Sequence, residues 1–213
     1  MTDEPLPAIV PVFPLSGVLL LPRAPLPLHI FEQRYRAMAK DALDSDGYIA
    51  MVQPSGEGDD RMNPPLYPVA CLGKIISSEE TDDGRYNIVL KGLTRMRIAQ
   101  ELSLKDGYRR VEADYAPFRN DLRPDSTRIE RDKLIGALKG YLERRNLQAN
   151  WGDAEKASSE ALVNALAAAL PFNPREKQAL LEAATLVDRA DVMVALLEMS
   201  LAANDGTANL HRN

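Results

Sequence analysis

The chain has 213 residues, of which 45% are hydrophobic and 27% are charged, and these proportions are ordinary for one large or two small globular domains. Its net charge of -5 is spread along the sequence: residues 1–118 carry 13 Lys and Arg against 17 Asp and Glu, and the remainder carries 13 against 14. Neither half has the basic surface typical of a nucleic-acid-binding domain. The single cysteine, Cys71, excludes an internal disulfide and fits a reducing compartment.

The N-terminal run from Pro5 to Pro22 contains no charged residue, so a signal peptide or membrane anchor has to be considered. The residues ahead of it, Asp3 and Glu4, are acidic where a secretory signal needs basic residues. Five prolines within the run would break a membrane-spanning helix. We therefore expect neither an export signal nor an anchor, and a cytoplasmic location.

Short extended runs separated by turn residues follow as far as Phe118. They are Ala8–Phe13, Leu26–Phe31, Tyr48–Val52, Tyr86–Gly92, Arg95–Ile98 and Tyr108–Tyr115. Residues 73–98 form the clearest hairpin because Asp82-Asp83-Gly84 supplies a tight turn, and Gly92 marks a bulge or bend. Between the runs, residues 32–43 have the apolar spacing of an amphipathic helix. Five or six short strands with one covering helix favour a small barrel.

Helical periodicity replaces these runs after Pro124. We predict a first helix that is capped by Asp125 or Ser126, and a second that carries Leu162 to Leu170. The sequence Asn173-Pro174-Arg175-Glu176 has the cap, proline and glutamate of a third helix start. A fourth helix is predicted to start at Asp188, and residues 204–213 are predicted to be frayed.

Motifs that would indicate catalysis are absent from the sequence. The one Gly-Lys pair, Gly73-Lys74, has Pro68 where a phosphate-binding loop needs its first glycine. There is no G-x-S-x-G or H-E-x-x-H, and two histidines with one cysteine make a zinc or transition-metal site improbable. The carboxylates of residues 57–60 are expected in a solvated loop. We therefore predict no enzymatic activity, no metal and no cofactor.

Several polar residues within the predicted strands and helix have structural interpretations. We expect His29 to be a structural histidine, and Arg95 and Arg97 to lie on a solvated strand face rather than to bind a phosphate or carboxylate. Glu32 is expected to pair with Arg34 or Arg36 near the helix start. Cys71 is expected to be a small buried apolar side chain.

The stretch FPLSGVLLLPRAPLPLHIFEQRYRAM, residues 13–38, closely resembles the opening of the substrate-binding, or N-terminal, domain of the Lon family of ATP-dependent proteases, particularly its stand-alone bacterial members. The motif P-L-P-L-H-I-F-E-x-R-Y from Pro25 to Tyr35 carries this resemblance. Further matches are Gly73-Lys74-Ile75, Gly84-Arg85, Lys91-Gly92, Arg95–Ile98 and Phe172–Met199.

The resemblance implies an α+β fold, with a small β-barrel of the pseudouridine-synthase-and-archaeosine-transglycosylase (PUA) type, a covering helix and a C-terminal α-helical lobe. We place the PUA-like barrel at residues 1–120, the helical lobe at 121–203 and the tail at 204–213. In full-length relatives an ATPase and a Ser-Lys peptidase module follow, and we expect a stand-alone member without them because the chain stops at Asn213.

The function implied is non-catalytic recognition of unfolded or partly folded polypeptides, with a protease as a further potential partner and no membrane partner. The protein could present substrates, act as an adaptor or holdase, or work outside proteolysis. RNA binding is the main alternative because RNA-binding modules share the barrel type, although the acidic balance argues against it. An unrecognised hydrolase is a third alternative.

The predicted binding groove is bordered by the turn at residues 22–25 and the loop at residues 53–68, because rigid turns and loops on a barrel are common binding positions. Its candidate polypeptide-binding residues are Leu21, Pro22, Arg23, Pro25, Met62 and Leu66.

Overall fold

The structure of the protein, a computed structural model, describes residues 5–56, 63–148 and 151–210, without the side chains of residues 153 and 202–210. The chain divides into two compact units. The first is Met1–Pro124 with Asn173–Leu181, and the second is Asp125–Phe172 with Glu182–Asn213. The chain therefore passes from one unit to the other three times. The predicted division had placed residues 121–203 together, whereas the structure groups residues 173–181 with the N-terminal part of the chain.

Six strands form the sheet of the first unit: β1 (Ile9–Pro14), β2 (Pro25–Ile30), β3 (Tyr48–Val52), β4 (Val69–Glu80), β5 (Tyr86–Lys105) and β6 (Tyr108–Asp114). The predicted extended runs are confirmed, and for β1, β2, β3 and β6 their ends agree within one residue. β5 differs because it is one strand of 20 residues where the sequence suggested two shorter ones.

The strand order in this sheet is β2-β5-β4-β3-β1-β6, with an additional pairing between β5 and β6. β1 and β3 are parallel and all other pairs are antiparallel. The pairing path from β5 through β4, β3, β1 and β6 therefore returns to β5, and β2 lies at an edge. A six-stranded sheet with several helices confirms the α+β class.

The core of the first unit consists of buried side chains from these strands. The central cluster contains Val10, Val12, Ala50, Val52, Ala70, Leu72, Met96 and Val111. Cys71 lies between the cluster residues Ala70 and Leu72 in the sequence and is fully buried. This confirms the prediction that Cys71 is a small buried apolar side chain. Helix α1 (Gln33–Leu43) covers the sheet and buries Tyr35, Met38, Ala39 and Ala42, as its predicted apolar spacing requires.

Gly92 allows two backbone segments to approach closely. A Cβ atom at this position would lie 2.1 Å from the carbonyl oxygen of Leu21. The Arg23 N–H donates to the Gly92 carbonyl oxygen at 2.8 Å. The register of β4 and β5 shifts at this point, since Thr94 lies opposite Leu72 but Gly92 lies opposite Gly73. The predicted bulge or bend is therefore confirmed.

The edge of β2 consists mainly of hydrogen-bond acceptors. The Gly92 N–H donates to the Ala24 carbonyl oxygen at 2.9 Å, so the antiparallel alternation turns the backbone of Pro25, Pro27 and His29 away from β5. No other strand in the described residues pairs with β2. Because proline has no N–H, this edge presents three carbonyl oxygens and a single N–H, that of His29.

Among its described residues the second unit has four α-helices: α2 (Arg131–Arg144), α3 (Trp151–Lys156), α4 (Ser159–Ala169) and α6 (Leu186–Leu210). Both α2 and α4 contact α6. The predicted start of α2 was wrong by a little more than one turn, because its N-cap is Glu130 and not Asp125 or Ser126. The Asp125 carboxylate accepts from the Thr127 N–H at 2.8 Å, and this local turn takes the place of the expected helix cap.

Helix α5 (Pro174–Glu182) starts where the sequence predicted. The Glu176 N–H donates to the Asn173 side chain at 3.0 Å, and the Asn173 N–H donates to the Glu176 carboxylate at 2.7 Å. The start of α6 uses the same reciprocal arrangement between Thr185 and Asp188, which moves it two residues ahead of the predicted position.

The C-terminal part of α6 was predicted to be frayed from residue 204. Helix α6 extends to Leu210, residues 211–213 lie outside the described part of the chain, and the frayed tail stays a prediction. None of the helices found in the described residues is both long and apolar enough to cross a membrane.

Candidate polypeptide-binding surface

The turn side of the predicted groove, at residues 22–25, is partly buried. Leu21 is 1% exposed and Pro22 is also buried, so neither side chain is available to a bound polypeptide. Arg23 has a positive φ of 68°, and its guanidinium donates to the carbonyl oxygen of Asp121. Of these turn residues, Pro25 alone is exposed. The apolar character that suggested Leu21 as a ligand contact instead reflects its burial.

The loop side of the predicted groove has a different arrangement. Leu66 is half-buried and packs against the core cluster, and it forms an isolated backbone bridge with Pro54. Arg109 fixes the same segment by donating to the Pro64 carbonyl oxygen at 2.6 Å. Met62 lies outside the described residues. Leu66 therefore packs against the core, and of the predicted contacts in the described residues only Pro25 is exposed.

Arg95 was predicted on a solvated strand face, and this prediction was wrong. Its side chain is 5% exposed and forms two hydrogen bonds to the Asp121 carboxylate, at 2.8 and 2.9 Å. It also donates to the Leu181 carbonyl oxygen at 3.1 Å, and its guanidinium lies 4.7 Å from the centre of the Phe118 ring. Its alternation partner Arg97 is exposed, as predicted. No local signal distinguishes the two arginines because the partners of Arg95 are distant in sequence.

Two buried glutamines join helix α5 to the sheet of the first unit. The Gln53 side chain accepts from the Gly17 N–H at 3.1 Å and donates to the Pro174 carbonyl oxygen at 3.0 Å. Gln178 donates to the Val69 carbonyl oxygen at 3.1 Å. With the contact of Arg95 to the C-terminal end of α5, these bonds explain why residues 173–181 belong to the first unit.

Helix α1 has an open cavity on each side, and both lie within the first unit. The Phe31 groove has a volume of about 510 Å³ and is lined by Phe31, Arg36, Ala37, Lys40, Glu80 and Tyr86. The second cavity has a volume of about 670 Å³ and is lined by Gln33, Arg34, Ala37, Asn63, Leu104 and Asp106. Asn63 belongs to the loop that the sequence had suggested as a border of the binding site.

Exposed apolar side chains accompany both cavities. Phe31 is 59% exposed at the end of β2, and Leu104 is 50% exposed near the turn between β5 and β6. The Phe31 ring stacks on His29 with 6.1 Å between the ring centres. Nδ1 of His29 lies 2.8 Å from the Asn87 side-chain oxygen, so the predicted structural histidine has a polar partner although it is exposed.

Charges along α1 are paired unevenly. Arg34 pairs with Glu32 at 3.1 Å, which is one of the two pairings that the sequence predicted. Asp41 pairs with Lys105 at 2.8 Å and accepts from the Tyr108 hydroxyl at 2.6 Å. Hydrogen bonds from Lys105 and Tyr108 hold the pKa of the Asp41 carboxyl below its usual value. Burial, together with the Asp41 carboxylate, raises the pKa of Tyr108.

Arg36 and Lys40 differ from Arg34 in their ion pairing. Within the part of the chain that the structure describes, neither side chain forms an ion pair. They are separated by one helical turn and both line the Phe31 groove. The groove thus combines an exposed aromatic ring with two cations that form no ion pair with a carboxylate in the described ranges.

No cluster of three or more His, Cys, Asp or Glu side chains that could hold a metal ion occurs among the described residues. The site is therefore defined by shape, apolar surface and charge. A model of the substrate-binding domain of the ATP-dependent protease La (Lon) matches residues 9–199. The chain belongs to this family.

Two relatives of this Lon-domain chain are proteases of much greater length. It is 27% identical over 209 residues to Lon protease 2 of Myxococcus xanthus and 30% identical over 191 residues to Lon protease 1 of Bdellovibrio bacteriovorus. These matches cover 92% and 85% of this chain. The chain spans only 24% and 23% of the two relatives.

Two solved structures share the fold of this chain. A Lon N-terminal domain protein from Xanthomonas campestris matches 88% of this chain and 97% of its own, with a TM-score of 0.62 and 20% identity. The match to the N-terminal domain of Lon protease from the Mycobacterium avium complex covers 89% of this chain and 98% of that structure's chain. Its TM-score is 0.64 and the sequence identity is 19%. At these identities the similarity establishes the fold.

Proposed function

We propose that this protein recognises exposed segments of other polypeptides in proteolysis or protein quality control and does not itself cleave them. The observation that carries the proposal is the match of residues 9–199 to a substrate-binding domain family. In its relatives this region occupies about a quarter of a protease. The recognised polypeptide would be unfolded or partly folded, and the protein would act in the cytoplasm as an adaptor for a separate protease.

We assign the binding surface to the two cavities beside α1 in place of the buried turn at Leu21. Phe31 and Leu104 supply apolar contact area, and the cationic side chains of α1 supply polar contacts. An open groove of this kind suits an extended ligand because it leaves both ends of the ligand free. Affinity is expected to be on the order of micromolar or weaker because the ligand loses conformational freedom on binding.

The sheet is proposed to be a barrel of the PUA type. The pairing path that returns to β5 supports this assignment. Because RNA-binding modules share the barrel type, RNA is the rival ligand. The excess of acidic over basic residues in residues 1–118 argues for polypeptide, since binding to a phosphate backbone depends on neutralisation by Lys and Arg.

Fluorescence anisotropy with a labelled, permanently unfolded polypeptide tests this function. The full chain should bind it, and Phe31→Ser and Leu104→Ser should each weaken binding. Ile9→Ser is the matched control because Ile9 is 50% exposed in β1 and lines neither cavity. No binding by the parent protein at about 100 μM would remove the polypeptide-binding function. Undiminished binding by both variants would refute the location alone.

The absence of catalysis is tested separately. The protein should neither hydrolyse ATP nor cleave casein, because the sequence has no phosphate-binding loop and no recognisable nucleophile motif. Turnover of either substrate by a preparation free of full-length protease would contradict the proposal.

A further inference from the structure

We propose that the Phe31 groove selects polypeptide segments in which an acidic side chain neighbours an aromatic or large aliphatic one. This inference rests on the proposed polypeptide-binding function and names the class of segment that the groove favours. It follows from the different chemistry of the two ends of the groove, one apolar and one cationic.

The apolar end is formed by Phe31. Its ring is 59% exposed although phenylalanine is usually among the most buried residue types. His29 covers part of one side, and Ala37 on α1 leaves room above the helix. An aromatic or large aliphatic ligand side chain would remove this exposed ring from water, which is favourable in proportion to the apolar area buried.

The cationic end is formed by Arg36 and Lys40. The turn between β4 and β5 contributes to its shape, because Gly84 has no side chain and the Arg36 guanidinium occupies that space. A Cβ atom at position 84 would lie 2.3 Å from Nη2 of Arg36. Since neither cation is paired within the described residues, a ligand carboxylate can approach without displacing a protein carboxylate.

Glu80 distinguishes a polypeptide from a nucleic acid. It lines the same groove, where its carboxylate and burial together raise the pKa of Tyr86, with burial the larger cause. A chain with a negative charge at every nucleotide would place phosphates beside Glu80. A segment with one carboxylate directed at Arg36 and Lys40, and an uncharged residue facing Glu80, avoids this repulsion.

Two fluorescein-labelled peptides of about twelve residues test the inference on the full chain. Both carry phenylalanines in a glycine and serine background, and they differ in having glutamate or glutamine beside each phenylalanine. The parent protein should bind the glutamate peptide about fivefold more tightly at low salt, a difference of the size expected for partly solvated charge pairs. The double variant Arg36→Gln/Lys40→Gln should bind both peptides equally.

The matched control is Lys91→Gln/Arg97→Gln, which removes the same two side-chain types from exposed positions in β5 that line neither cavity. It should retain the parent preference. Equal binding of the two peptides by the parent protein would overturn the inference and leave polypeptide binding intact, whereas binding of neither peptide nor the unfolded polypeptide would remove the proposed function as well. Single-stranded RNA that binds the parent more tightly than the glutamate peptide, and loses affinity in the groove variant, would also overturn it.

Discussion

Arg95 and Asp121 form a bidentate ion pair with both side chains nearly excluded from solvent, 26 residues apart in the chain. The same carboxylate accepts the Arg95 backbone N–H at 2.9 Å. Asp121 therefore fixes both the backbone and the side chain of Arg95, and Arg95 in turn reaches the carbonyl oxygen of Leu181 in α5. One carboxylate thus supports three segments of the first unit.

Asp121→Ala should destabilise the protein by about 3 kcal/mol or more, because it leaves a buried guanidinium without its counter-charge. Urea unfolding followed by far-ultraviolet circular dichroism measures the change. The control is Asp83→Asn, which removes an exposed pair with Arg85 and should leave the unfolding midpoint unchanged. Equal midpoints for Asp121→Ala and the parent would show that the ion pair makes no net contribution to the stability of the protein.

The cooperative unfolding of fragments of the first unit should depend on the residue at which each fragment ends. Residues 1–120 lack Asp121 and should not unfold cooperatively, whereas residues 1–124 retain it and should show a cooperative transition. The midpoint of 1–124 should rise when a peptide of residues 172–183 is added, since that peptide restores the contacts of Gln53 and Arg95. The experiment is thermal unfolding with increasing peptide. A midpoint for 1–124 that is insensitive to the peptide would contradict the role assigned to α5.

The link between α1 and the β5–β6 hairpin should produce a pH dependence of stability. Because the pKa of Tyr108 is raised in the folded protein, its contribution is complete below about pH 10, the unfolded pKa, and is lost as the pH rises above it. Because the pKa of Asp41 is lowered, its contribution is present above about pH 4 and is lost as the pH falls through the folded pKa.

Tyr108→Phe should therefore weaken the alkaline loss of stability, and Asp41→Asn the acidic loss, in urea midpoints measured from about pH 3 to 11. Because Asp41 and Tyr108 share one hydrogen bond, each variant should also weaken the other limb, but by a smaller amount. Parallel curves for the parent and both variants would show that this contact does not couple protonation to folding.

The prolines of β2 should limit self-association. An added strand would find three carbonyl acceptors on this edge but only the His29 N–H as a donor, so fewer than the usual number of hydrogen bonds could form. Pro25→Val/Pro27→Val supplies two donors and should increase the sedimentation-determined molar mass at high concentration. Leu26→Val is the control, because the backbone of residue 26 faces β5 and not the open edge. An unchanged molar mass in the proline variant would show that the edge is protected by other means.

Local patterns predicted most of the fold correctly. The β4–β5 turn, the apolar spacing of α1 and the helix start at Asn173 depend on residues close together in sequence, and each was identified. The candidate site was not predictable in the same way. Leu21 and Arg95 looked like exposed residues because the elements that bury them are distant in sequence. Leu21 packs against Gly92. Arg95 contacts Asp121 and α5, which lie 26 and 86 residues further along the chain.

The groove beside α1 shows the same limitation. Phe31 was part of the family motif, but nothing in its neighbourhood indicated that its ring would be exposed. Arg36 and Lys40 have the spacing of a solvated helix face, and the groove that they line together with Glu80 is completed by the β4–β5 hairpin. A sequence pattern can place a charge on a helix face, but the element facing it comes from tertiary structure.

The position of α5 has a consequence for synthesis on the ribosome. Its contacts with Gln53 and Arg95 can form only after residue 182 has been made, whereas the strands are complete by Asp114. At about 5–20 residues per second, the roughly 60 residues between Pro124 and the end of α5 take about 3–12 s to add. During that interval the nascent sheet exposes the polar groups that α5 will later satisfy, so chaperones and other chains have access to them until α5 is made.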